Sequence, residues 1–126
     1  MKSREEIIEN YIAGYNSFDI EKMTADLDDN IKFENISNGN VTDSLIGKPD
    51  FIHQAEQAKS LFSQRQQKIT SITHHENSTE VTIDYVATLA IDISESLKTG
   101  DKIKLEGKSI FEFSPEGKIL VLRDVS

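Results

Sequence analysis

The residues best suited to chemistry in this chain are two tyrosines, a few amide and hydroxyl side chains, and one late aspartate. Tyr11 and Tyr15 are four apart in a stretch of helical period, so their phenols share a face and could donate to an oxygen of a bound molecule. As structural residues they would instead fill core, each hydroxyl hydrogen-bonded. Asp124 alternates with Leu122 and Leu120, a spacing that points its carboxylate inward, where apolar surroundings raise its pKa toward a value useful for proton transfer. Its plainer role is a surface pair with Arg123. Asn35 alternates with Ile31 and Phe33, and a buried amide there needs partners that a ligand or a water could supply. His53 and Glu56 lie three apart on a helix, which makes His53 a candidate acid or base, but one such pair does not make a metal site. His74 and His75 are adjacent on a strand and point to opposite faces. No nucleophile elbow, phosphate loop or dinucleotide fingerprint occurs, so neither a metal nor a cofactor is expected.

The elements that must position these groups follow from period and punctuation. Ser3-Arg4-Glu5-Glu6 has the form of a capping box, and Ile7, Ile8, Tyr11, Ile12 and Tyr15 make one apolar helical stripe. Asn16-Ser17 ends that helix, Asp19 caps a shorter one carrying Ile20, Met23 and Leu27, and Asp28-Asp29-Asn30 reads as a turn. From Ile31 the period changes to two, and Ser37 to Asn40 returns the strand as a hairpin with Val41 to Ile46. Gly47-Lys48-Pro49-Asp50 opens a third helix whose stripe is Phe51, Ile52, Ala55, Ala58 and Phe62. Strands are then expected over 67–75, 80–93, 102–114 and 118–125, with Tyr85, Leu89, Ser109 and Phe111 in the rows that form the one apolar sheet face.

Composition sets the outer limits. With 126 residues, one domain spanning 1–126 with one core is expected. The absence of cysteine excludes disulfides, thiolate metal sites and cysteine nucleophiles. A net charge of −8, from 14 basic and 22 acidic residues, opposes binding to a phosphate backbone, so nucleic acid is not an expected partner. No apolar run approaches the roughly 20 residues of a membrane span, and the first ten residues lack a secretion signal's apolar core. A cytoplasmic protein without a membrane partner is the expectation.

Two helices, a hairpin, a third helix and a long antiparallel meander resemble the nuclear transport factor 2-like, or SnoaL-like, superfamily, which includes ketosteroid isomerases and polyketide cyclases. The stretch Tyr11 to Ile36 and the final Phe113-Ser114-Pro115-Glu116-Gly117-Lys118-Ile119 carry the resemblance most specifically. It implies an α+β cone, three helices packed on a curved mixed or antiparallel sheet, with a cavity for an apolar ligand and a homodimer formed through the outer sheet faces. By the isomerase pattern Tyr11 is the oxyanion donor, but Asn35 stands where the catalytic base would be and Ser109 where a protonated acid would be. An amide cannot take a proton near neutral pH, so the isomerase reaction is not expected.

Three functions remain open at this stage. The first is a small-molecule binding protein, with a pocket formed by Phe33, Phe51, Ala55, Phe62, Leu89, Phe111 and Leu122 and oriented by Tyr11, Tyr15, Asn35, Tyr85, Ser109 and Asp124. The second is a cyclase, dehydratase or isomerase using Asp124 or His53 with Tyr11. The third is a dimeric interaction module whose interior is filled by its own side chains.

Overall fold

The computed structural model describes residues 2–126. Its first helix, α1 (Arg4–Asn16), starts where the Ser3 hydroxyl accepts from the Glu6 amide at 3.2 Å. It buries Ile7, Ile8, Tyr11 and Ile12, the stripe set by the sequence. Helix α2 (Ile20–Thr24) is capped by Asp19, whose carboxylate accepts from the Lys22 amide at 3.0 Å. Between them Phe18 takes a left-handed backbone conformation, φ 58°, where glycine or asparagine is the usual choice.

Six strands follow: β1 (Leu27–Ser37), β2 (Asn40–Ile46), β3 (Phe62–His74), β4 (Ser78–Leu89), β5 (Lys102–Phe113) and β6 (Ile119–Val125), with α3 (Lys48–Lys59) between β2 and β3. They form one curved, unclosed sheet in the order β2-β1-β6-β5-β4-β3. Every neighbouring pair is antiparallel except β1 and β6, which run parallel. Register shifts interrupt β1, β3 and the β5–β6 pairing, and such bulges bend a sheet. The core lies between the concave face and the helices, with Ile8, Leu27, Ile31, Val81, Phe111, Ile119 and Leu122 almost wholly removed from solvent. Each such side chain contributes roughly 1.5–3 kcal/mol by burial.

Several boundaries differ from those expected, each for a local reason. Helix α2 stops at Thr24, so Leu27 reaches the core from the start of β1. Asp28 to Asn30 lie within that strand as an irregularity, where the Asp28 carboxylate accepts from the Asn30 amide at 2.9 Å. Phe62 does not continue α3, which ends at Lys59, but opens β3 opposite Leu89. The part of β3 before Gln67 escaped the alternation test because its one buried residue, Arg65, is charged. Strand β4 ends at Leu89, leaving Ile91 and Ile93 exposed in a loop. A register shift between Glu112 and Phe113 places Ile119 in the core and turns Leu120 outward, against the expected alternation of Leu120 with Asp124.

Candidate functional site

Tyr11 and Tyr15 form part of the helical wall of a cavity, and the glycine between them lets α1 and α2 meet closely. A Cβ on Gly14 would lie 2.6 Å from the backbone nitrogen of Met23, so α1 and α2 touch backbone to backbone only because that side chain is absent. The Tyr11 ring packs edge-on to Phe111, with centroids 5.7 Å apart. Phe33 meets Phe51 of α3 in the same T-shaped way, also at 5.7 Å.

Tyr11, Tyr15, Phe33 and Phe51 line a cavity of about 360 Å³, walled further by Met23, Asn35, Leu45, Ala55, Phe62, Arg65 and Asp124. Its size is at the lower end of the roughly 300–1,000 Å³ usual for small-molecule sites. A second cavity of about 190 Å³ shares Tyr15, Asn35 and Asp124 with the first and adds Gln67, Ile83, Tyr85, Gly107 and Ser109. The Tyr15 hydroxyl donates to that of Tyr85 at 2.9 Å.

Asp124 sits in the wall common to both cavities, and strand register explains how. On one side it pairs with Asn35 across the parallel β1–β6 ladder, and on the other with Ser109 of β5. Asn35 and Ser109 thus flank a single carboxylate on the strand between them. Ser109 donates to Asp124 Oδ1 at 2.7 Å, whereas the Asn35 amide turns away and donates to Thr42 on β2 at 2.8 Å.

Burial pushes the Asp124 carboxyl up to about 6 from its ordinary 3.8, and the Ser109 hydrogen bond opposes part of that rise. The residue keeps some accessibility because it faces the cavities, yet its carboxyl is surrounded by protein. Burial also raises the phenols of Tyr11, Tyr15 and Tyr85 above their usual value, aided at Tyr11 by the Asp124 charge and opposed at all three by Arg65. Three neutral donors and one carboxylate that titrates near neutrality thus share this interior.

The sequence model of the SnoaL-like domain family matches residues 8–122. The chain belongs to the SnoaL-like domain family. Solved structures agree in fold. A cystatin fold protein from Novosphingobium aromaticivorans superposes with a TM-score of 0.78 at 15% identity, covering 100% of both chains. SalBIII, an epoxide hydrolase/cyclase-like enzyme of pyran ring formation in the polyether salinomycin, gives 0.77 at 18% identity over 97% of this chain and 88% of its own. TerC, co-crystallized with polyporic acid, gives 0.76 at 13% identity over 96% and 88%. Among curated proteins none matches.

In this SnoaL-like chain the other candidates fall in different places. Leu89, Phe111 and Leu122 are core residues behind the cavity walls. His53 does not wall either cavity but borders a shallow surface depression with Asp50 and Gln57, which shares Leu45 and Gln54 with the larger cavity. Among the described residues no group of three His, Cys, Asp or Glu could hold a metal, and no helix is long and apolar enough to cross a membrane.

Two inward residues of β3, Arg65 and Gln67, were missed by sequence reasoning. Arg65 is only 6% exposed; its Nε donates to the Tyr15 carbonyl at 2.8 Å, and its guanidinium lies 3.8 Å from the Tyr15 ring centroid and 4.5 Å from that of Phe18. Asn16 fixes Gln67 by its backbone, accepting from the amide at 2.7 Å and donating to the carbonyl at 3.1 Å. Counting back by twos from Ile69 would have found both.

Proposed function

We propose that this SnoaL-like chain binds a small, mostly apolar molecule in the larger cavity and that Asp124 exchanges a proton with it. The observation that carries the reading is the buried Asp124 carboxyl, pushed up to about 6 and walling the same space as the Tyr11 phenol. A carboxyl so tuned can be taken through both protonation states near neutral pH, and a neutral phenol can stabilise the oxyanion that proton removal creates. Support comes also from the fold's use in SalBIII, an enzyme of ring formation. The void itself favours a ligand site over an interaction module filled by its own side chains.

The reading in which the ligand is only held differs from this one in a single measurable step. With 2-tetralone, an apolar ketone with acidic α-hydrogens, the protein in D₂O should accelerate hydrogen-deuterium exchange at the α-carbon, read by NMR. The rate should rise with pH through about 6 as Asp124 ionises, and Asp124→Asn should lower it by roughly 10²-fold or more. Binding without exchange would leave a carrier. Tyr11→Phe should weaken binding of 2-naphthol by about 1 kcal/mol with the fold intact; unchanged affinity would remove Tyr11 from the site.

We infer further that two copies pair through the outer sheet faces, the arrangement to which the family resemblance points. The cytoplasm, with no nucleic-acid or membrane partner, remains the setting that suits the charge and composition.

A further inference from the structure

We propose that the two cavities, which share Tyr15, Asn35 and Asp124, together take an organic acid: a mostly apolar molecule presenting an anionic oxygen to Arg65 in the larger and a hydroxyl to Gln67 in the smaller. The inference rests on the cavity being the ligand site and adds the ligand's chemical class. Two buried side-chain atoms among the described residues have no hydrogen-bond partner, Arg65 Nη2 and Gln67 Oε1. They belong to inward positions of β3 two residues apart, whose Cα atoms a strand separates by roughly 7 Å. One is a charged donor and the other an acceptor. Arg65 walls the larger cavity, Gln67 the smaller, and Tyr15 both.

The guanidinium is buried without an anion. None of the ion pairs among the described residues includes Arg65. The nearby carboxyl of Asp124 is engaged by Ser109 instead. A guanidinium keeps its charge and is costly to bury unpaired, and here two aromatic rings and the Tyr15 carbonyl are its stabilisation. Its planar fork matches a carboxylate or an ionised enol. Arg65 also borders an outer groove with Phe18, Ser63 and Gln64. The cavity is the better place for the anion because Arg65 walls it beside Tyr11 and Tyr15, and its positive charge bears on the phenols of Tyr11, Tyr15 and Tyr85.

The test is fluorescence titration of the full chain with 6-hydroxy-2-naphthoate, its neutral amide, and 2-naphthoate, with the ¹³C carboxyl resonance of Asp124 reporting entry to the cavity. The acid should bind at least tenfold tighter than the amide and shift that resonance, and the preference should vanish in Arg65→Met. The hydroxyl should be worth severalfold in affinity, lost in Gln67→Leu. Equal binding of acid and amide, an acid preference that survives Arg65→Met, or acid binding that leaves Asp124 undisturbed would overturn the inference, while an amide that shifts Asp124 would leave the cavity reading standing. If no probe binds, both fall. Should Arg65→Met fail to fold, the wild-type series decides, together with the guanidinium ¹⁵N resonance of Arg65, which must move with the acid and not with the amide.

Discussion

Asp124 couples the site's chemistry to the stability of the protein. Its carboxyl, at about 6 in the fold against an ordinary 3.8, holds its proton more tightly folded than unfolded. That difference corresponds to roughly 3 kcal/mol of stability. The contribution is complete below about pH 4 and is lost as pH rises through about 6. Asparagine keeps the shape and an acceptor for Ser109 but cannot ionise. Asp124→Asn should therefore gain up to roughly 3 kcal/mol relative to the wild type between pH 4 and pH 7, measured by urea unfolding across that range. A difference that stays flat would mean the carboxyl titrates as an exposed one does. Ser109 acts in the opposite sense, because its hydrogen bond stabilises the ionised form. Ser109→Ala should raise the Asp124 titration midpoint by roughly one pH unit, read from its ¹³C resonance. A fall would show that the hydroxyl does not act on the carboxylate.

At the scale of elements, α1 and α2, which carry the cavity-wall residues Tyr11, Tyr15 and Met23, approach without a side chain between them. Replacing Gly14 by alanine forces a Cβ against the Met23 backbone, at 2.6 Å from nitrogen and 2.8 Å from Cα, and neither atom can rotate away. Gly14→Ala should cost at least about 2 kcal/mol in urea unfolding and shift the environments of Tyr11 and Tyr15 on either side of it. A change within about 0.5 kcal/mol would show that the helices separate freely. The helical half of this wall was legible in sequence because Ile7, Ile8, Tyr11 and Ile12 repeat with the helix and Ser3 and Asp19 cap as such residues do. The α+β class and the Asn35 and Asp124 faces were legible for the same reason, since β1 and β6 alternate cleanly where those residues lie. The start of strand β3, before Gln67, was hidden: its one buried residue is Arg65, and hydrophobic alternation cannot reveal a stretch whose buried residue is charged. The site's cation therefore went unseen, although its position follows from the register of Ile69. The bulge beside Ile119 was hidden differently, because Ile119, Leu120 and Leu122 are all apolar and nothing in their types says which one is extra.

At the scale of the whole molecule, the proposed pairing of two copies depends on what the outer sheet face presents. Val86, Ile110 and Val121 interrupt its polar rows, but register divides them. Ile110 lies opposite Glu80 and Arg123, and Val121 opposite Glu112, so these two are diagonal neighbours. Val86 lies opposite Lys104, six residues along β4 from Glu80 and so about 20 Å away. The ground around Ile110 is charged and already matched within the chain, through Lys108 with Glu80 and Arg123 with both Glu34 and Glu112. An apolar pair ringed by satisfied charges can be covered by a second copy without stranding an ion, so the proposed dimer is expected to centre on Ile110 and Val121 with Val86 at its edge. Sedimentation velocity at micromolar concentration should show the dimer. Ile110→Asp should weaken it by about tenfold or more, because a carboxylate would then be buried beside Glu80 and Glu112, whereas Val86→Ser should leave the dissociation constant nearly unchanged. Monomer alone at that concentration would refute the pairing, and equal weakening by both substitutions would move its centre away from Ile110.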